Sequence, residues 1–271
     1  AERTRDTPTG AGIALVLAQG LRLTGDVEEA ERLLRDELAR HAAAEDHLGA
    51  SAAASSLVNL LVQTGRLKAA LALVHEKGDH TRRAGLGPWS ELVDRGQRLN
   101  ILGLMGRNAE VLDEVGKLRK QMDALPEKGE LEEMASPWNV REATLDVGRA
   151  AAIRLARWEL ALELGREILR SKERRGAGAL ERARTRFNEY GPLIRLGRRG
   201  EARALLDDCR AVFQSEGDSD SLGRVYSALA DLEDAQGRPD EAVHFEEAAL
   251  QYKYLTSEPD SIAGSHNNLA N

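Results

Sequence analysis

Small and apolar residues recur along this chain at fixed offsets from a set of helix-ending landmarks. The landmarks are Gly25, Gly65, Gly106, Ala156, Gly197 and Gly237, and five residues after them stand Ala30, Ala70, Val111, Ala161, Ala202 and Ala242. Four residues before each landmark come Leu21, Leu61, Leu102, Ala152, Leu193 and Glu233. Three residues after each small residue come Leu33, Leu73, Glu114, Leu164, Leu205 and Phe245. Only Glu114 and Glu233 break an otherwise apolar pattern, which is the i, i+3, i+4 stripe of helices with one buried face. The landmarks are 40, 41, 50, 41 and 40 residues apart. A period of this size predicts stacked helical units, none of which buries its apolar face alone.

Each unit reads as a pair of antiparallel helices, A and B. In the first, helix A covers about 11–24 and helix B about 27–44. Gly25 suits the left-handed residue just past a helix end, where a Cβ is penalised. Ala30 marks a close helix crossing that a larger side chain would push apart. Pro88, Pro137 and Pro239 open later helices, in the first turn where proline is tolerated. The predicted fold is all-α, a right-handed superhelical solenoid of six antiparallel helix pairs with a partial thirteenth helix at 261–271. Residues 1–10 form a polar N-terminal segment, 11–124 repeats one to three, and 139–258 repeats four to six. The acidic stretch 125–138 accounts for the long 50-residue step and is the expected hinge. Residues 259–271 read as the start of a truncated seventh repeat, so the chain is expected to be cut from a longer array.

Two places depart from the pattern. Repeat four has Ala156 for glycine and Arg149 at a normally apolar position. In repeat five, Gly191-Pro192 interrupts helix A, because proline removes an N–H, frees the carbonyl of Asn188 and costs about 3 kcal/mol in a helix interior.

Composition supports the helical reading and narrows the function. The 271 residues are 42% hydrophobic but only 4% aromatic, and strand-type runs are missing. The net charge of −7 argues against nonspecific nucleic-acid binding. No apolar run approaches a membrane-spanning length, and a soluble, cytoplasmic protein is expected. The single cysteine, Cys209, allows no intramolecular disulfide and reads as a small core residue.

The helix-ending glycine, the small residue five later and the apolar positions around both resemble the tetratricopeptide repeat (TPR) family. The period of about 40 exceeds that family's usual 34. It is similar to the longer variants in kinesin light chains and in bacterial regulators of the MalT and Rap/PlcR type, as is the HNNLAN ending. The resemblance implies a helical scaffold whose A helices line a concave binding surface.

Recognition residues are therefore sought on the A helices. Six residues before the landmarks come Gln19, Asn59, Asn100, Ala150, Gly191 and Asp231, with Asn271 in the partial repeat. Ser56, Gln97, Asn188 and Asn268 lie nearby. A carboxamide donates and accepts at once, so such a row can hold an extended peptide backbone whatever its sequence. Solvated polar residues on a helix surface are the plainer alternative. Arg154 and Arg195 are equivalent to each other, as are Arg184 and Arg224, and stacked guanidiniums would favour an acidic or carboxylate-bearing segment. Ion pairs to acids on adjacent helices explain them equally well.

Enzyme signatures are missing. The six histidines make no HExxH and no Cys/His ligand set, and there is no phosphate-binding glycine loop and no GxSxG. The expectation is a noncatalytic scaffold, without cofactor or metal, that binds a protein or peptide segment. It would be the sensor or docking region of a larger bacterial regulatory or effector protein. A receptor for a small ligand or signalling peptide is the alternative.

Overall fold

The computed structural model of the chain describes residues 26–126 and 135–256. Helix A of repeat one, Gln19, Gly25, most of the acidic stretch, Asn268, Asn271 and the whole partial repeat lie outside the described residues. Among the described residues there are twelve helices and no strand. They are α1 (Val27–Ala43), α2 (His47–Gln63), α3 (Leu67–Arg83), α4 (Pro88–Leu104), α5 (Asn108–Asp123), α6 (Pro137–Arg154), α7 (Trp158–Arg174), α8 (Ala179–Phe187), α9 (Tyr190–Arg195), α10 (Arg199–Glu216), α11 (Ser219–Asp234) and α12 (Pro239–Thr256). The chain divides into two compact units, one through Val147 and one from Gly148, with the division inside α6.

In the first unit, α1 to α5 each pack on their neighbours in sequence. Their shared core runs from Ala30, Leu34 and Leu38 through Leu57, Val58 and Leu61 to Ala70, Val74 and Ile101. In the second unit, α7 packs on α8 and α9, both of these pack on α10, and α10, α11 and α12 follow in order. Here the core gathers Leu193, Leu206, Phe213, Leu222, Val225 and Leu229. Ala30, Ala70, Val111 and Ala202 are completely buried and Ala161 nearly so, as close crossings require.

The turns repeat one hydrogen-bonding pattern. Gly65, at φ +71°, donates to the Val62 carbonyl at 3.0 Å, and Arg66 donates to the Leu61 carbonyl at 2.8 Å. These two bonds satisfy carbonyls that the helix end would otherwise leave orphaned. Ala156 makes the same turn, donating to Ile153 at 3.0 Å while Arg157 donates to Ala152 at 2.8 Å. It does so at φ +54°, in the left-handed region despite its Cβ. Helix starts are capped by Asp46 and Asp218, whose carboxylates accept from Gly49 N at 3.0 Å and Ser221 N at 3.2 Å.

Repeat five breaks earlier than its proline. Helix A5 splits at Asn188 and Glu189, so Pro192 becomes the third residue of α9 and falls in a first turn where its missing N–H costs no helical bond. Asn188 caps the first piece, its side-chain amide donating to the Arg184 carbonyl at 3.1 Å.

Several charges standing in apolar registers are answered by a neighbour. Glu114 pairs with Arg95. Glu233, only 2% exposed, accepts from Arg203 and from Arg238 Nε at 2.5 Å. Arg149 is buried over Gly165, where a Cβ would come within 3.7 Å of its Cδ and 3.3 Å of Glu189 Oε1. Burial pushes the Glu189 carboxyl above the usual range, against the pull of Arg166, Arg186 and Arg149. The deepest such pair is Lys77 of α3 with Asp94 of α4. Both are 5% exposed, and Nζ lies 2.7 Å from Oδ1.

Two measurements check these statements. Ala156→Gly relieves the left-handed strain without removing a packed side chain, and chemical denaturation should show a gain of up to about 1 kcal/mol, the relief being partly offset by glycine's flexibility in the unfolded chain. Lys77→Met strands the Asp94 carboxylate in the interior, and the same measurement should show a loss of about 3–5 kcal/mol.

Candidate functional site

The buried Lys77–Asp94 pair is the base of a polar network that reaches the surface. Lys77 Nζ also donates to Gln97 Oε1 at 3.0 Å, and Gln97 Nε2 donates to Asn59 Oδ1 at 3.2 Å. The chain of contacts thus runs from α3 through α4 to α2, fixing both the rotamer and the orientation of two carboxamides. Beside it, Ser51 and Thr81 share a buried hydrogen bond of 3.0 Å. Thr81 is positioned by its own bond to the Lys77 carbonyl at 3.1 Å.

A recess of about 190 Å3 opens next to this network. Leu48, Ala52 and Ser55 of α2 line one side and Val93 of α4 the other, with Lys77 and Asp94 among its remaining walls. Leu48 and Val93 are 48% and 38% exposed, so the rim carries uncovered hydrocarbon. Asn59 and Asn100 are both exposed, and Ser56 and Gln97 half-buried. Asn100 sits one turn along α4 from Gln97. The face formed by α2 and α4 therefore combines an oriented carboxamide pair, a further exposed carboxamide, and an apolar rim above a charged floor.

In the second unit the sequence-selected residues are placed differently. Asn188 is half-buried and its amide is engaged in capping α8. Arg184 binds Asp218 through Nε at 3.0 Å and a terminal nitrogen at 2.9 Å. Burial works against the charge of Asp218, yet hydrogen bonds from Ser221 and Arg184 hold its carboxyl below the usual range. Arg224 lies over the Phe187 ring, 5.3 Å from its centroid. Arg184 and Arg224 are thus both engaged within the fold. Arg154 closes α6 and Arg195 closes α9, each exposed. Asp231 is exposed on α11, its carboxyl pushed up by desolvation and by the charges of Glu246 and Asp234.

Lys77 and Asp94 were not among the residues the sequence singled out. The signal was present in the repeat register. Twelve residues after the landmark, repeats three to six carry Leu118, Ile168, Cys209 and Ala249, where repeat two carries Lys77. Twelve before it, Asp94 stands where other repeats have Ala53, Thr144, Thr185 and Val225. Opposite charges in facing interior registers announce a partnered pair.

Chemistry elsewhere is subdued. Cys209 is buried, its thiol 3.5 Å from the Ala183 carbonyl and pushed up to about 11 by burial, far from a reactive thiolate. Among the described residues no group of three His, Cys, Asp or Glu side chains could hold a metal ion. No described helix is long and apolar enough to cross a membrane.

Comparison with known proteins agrees with this geometry. Residues 193–253 match the model of the tetratricopeptide repeat family. Among curated proteins, no sequence matches the chain. Among solved structures, the nearly identical TPR-like repeats of a kinesin light chain from Podosopora anserina superpose with a TM-score of 0.58 at 17% identity, covering 78% of this chain and 98% of theirs. A singly substituted form of those repeats gives 0.60 at 17% identity, over 79% and 100%. At that identity the likeness concerns the fold alone. Proteins built this way commonly serve as protein-binding scaffolds. The turn pattern, the buried crossings and these superpositions make the chain an all-α array of stacked helix pairs similar in fold to tetratricopeptide repeats, with the family model itself matched over residues 193–253.

Proposed function

We propose that this chain is a noncatalytic scaffold that holds an extended polypeptide segment across the A-helix face of repeats two and three. The observation that carries the proposal is the Lys77–Gln97–Asn59 chain of hydrogen bonds, which orients a surface carboxamide from a buried charge. Orienting a carboxamide in advance lowers the entropy lost on binding a peptide backbone. Asn100 adds a second donor and acceptor on the neighbouring A helix, and Leu48 and Val93 offer contact for an apolar side chain between the two. Such a scaffold fits the sensor or docking region of a larger bacterial regulatory or effector protein acting in the cytoplasm. A small-molecule receptor is the less favoured reading at this face. The recess of about 190 Å3 is below the roughly 300 Å3 at which ligand pockets usually begin.

The experiment places a photo-crosslinking residue at Val93 to identify the bound segment, then measures its affinity. Loss of each carboxamide contact removes about 0.5–1.5 kcal/mol, so Asn59→Ala/Asn100→Ala should weaken binding roughly 5- to 100-fold with helicity unchanged. Undiminished affinity in that variant would move the binding site off this face.

A further inference from the structure

Repeat six carries a buried charge where the earlier repeats are uncharged. Nine residues after the landmarks stand Leu34, Val74, Val115, Gly165 and Leu206, and then Glu246. Glu246 is as buried as its apolar counterparts, at 2% exposure. One oxygen, Oε1, accepts from Ser227 Oγ at 3.2 Å and lies 3.7 Å from Lys253 Nζ. That ammonium is itself committed to Ser227 Oγ at 2.7 Å. The other oxygen, Oε2, is buried without a hydrogen-bond partner. A buried carboxylate oxygen left unmatched is costly and calls for an explanation.

Glu246 lines a recess of about 350 Å3 between α11 and α12, together with Asp231, Asp234, Pro239, Ala242 and Val243. Three carboxylates thus surround one space, and the ammonium of Lys253 stands beside Glu246 outside its lining. Their mutual repulsion is felt at Asp231, where desolvation is joined by the charges of Glu246 and Asp234 in disfavouring the anion, against the weaker pull of Lys253. The remaining wall is hydrocarbon, with Val243 45% exposed. Acidic groups beyond short apolar walls match a methylene chain ending in an ammonium. A bare metal ion is a poorer match, since among the described residues no three acidic or histidine side chains converge closely enough to coordinate one. The volume is of ligand size.

We propose that the recess between α11 and α12 binds a primary ammonium on an aliphatic chain, the lysine side chain of a partner polypeptide. Glu246 and Asp231 supply the charge, and Pro239, Ala242 and Val243 hold the methylenes. In this form the inference rests on the scaffold reading and gives the partner a basic residue to present at repeat six. A free polyamine carries the same chemistry from a different source.

The test is calorimetric titration of the protein with Nα-acetyl-lysine methylamide, its uncharged norleucine counterpart and spermidine, at low and high ionic strength. The lysine derivative should bind and the norleucine one should not, with affinity falling as salt screens the carboxylates. Glu246→Gln keeps the Ser227 contact and Asp231→Asn changes an exposed position, so both variants should retain wild-type helicity. Each should lower lysine affinity at least about tenfold. Spermidine binding lost in the same variants, without lysine binding, would support the ammonium site and assign it to polyamines. No binding of either amine, or equal binding in wild type and both variants, would overturn the proposal. Asn59 and Asn100 lie in the other unit, so failure of the peptide-binding face and failure of this site are read separately.

Discussion

The structure depends on how closely two helices can cross. Each helix here has one apolar face, and a stack of them holds only if neighbours meet at a constant short distance. The small residue five places after every helix end sets that distance. Ala30, Ala70 and Ala202 are completely buried at their crossings, and Val111 is the largest side chain the array admits there. The left-handed residue before the crossing is the matching constraint, because it turns the chain back within three residues. With spacing and turn both fixed, the remaining positions are free to differ between repeats. Nearly everything individual about this chain is found in those positions.

What differs most is the placement of charge. A solenoid of hydrocarbon needs no buried ion pairs, and the desolvation of each one must be offset by close pairing. This array nevertheless buries Lys77 with Asp94, Glu233 between two arginines, Arg149 over Gly165, and Glu246 beside Ser227. The first extends to the surface as an oriented amide pair, and both Asp94 Oδ2 and Glu246 Oε2 are buried without a hydrogen-bond partner. Each of the two recesses is lined by one of these buried carboxylates.

The sequence disclosed the architecture well because it is written in local, repeated signals. A glycine at φ +71° and an alanine five later are read without knowing what lies opposite. The break in repeat five was legible in kind but not in place, since Pro192 forbids a continuous helix without saying where the previous piece must end. The site was harder to read. Whether an exposed asparagine is solvated or oriented depends on Gln97 and Lys77, which lie 38 and 18 residues away from Asn59 and touch it only through the fold. Arg184 and Arg224 show the reverse case. They looked available for a ligand because their partners, Asp218 and Phe187, sit in adjacent parts of the helix stack.

The buried Lys77–Asp94 pair has a consequence for how the array finds its own register. Repeats so alike can also stack one unit out of step, and such misassembly is a characteristic failure of repeat proteins. A hydrocarbon interface would tolerate that slip, because leucine meets leucine in either arrangement. A slipped stack would instead set Lys77 against the register of Thr144 or Ala53, leaving an ammonium in the interior with no carboxylate to answer it. The pair thus works as an address, admitting one neighbour and rejecting its near-copies, and the array's order is written in the few residues that break its periodicity.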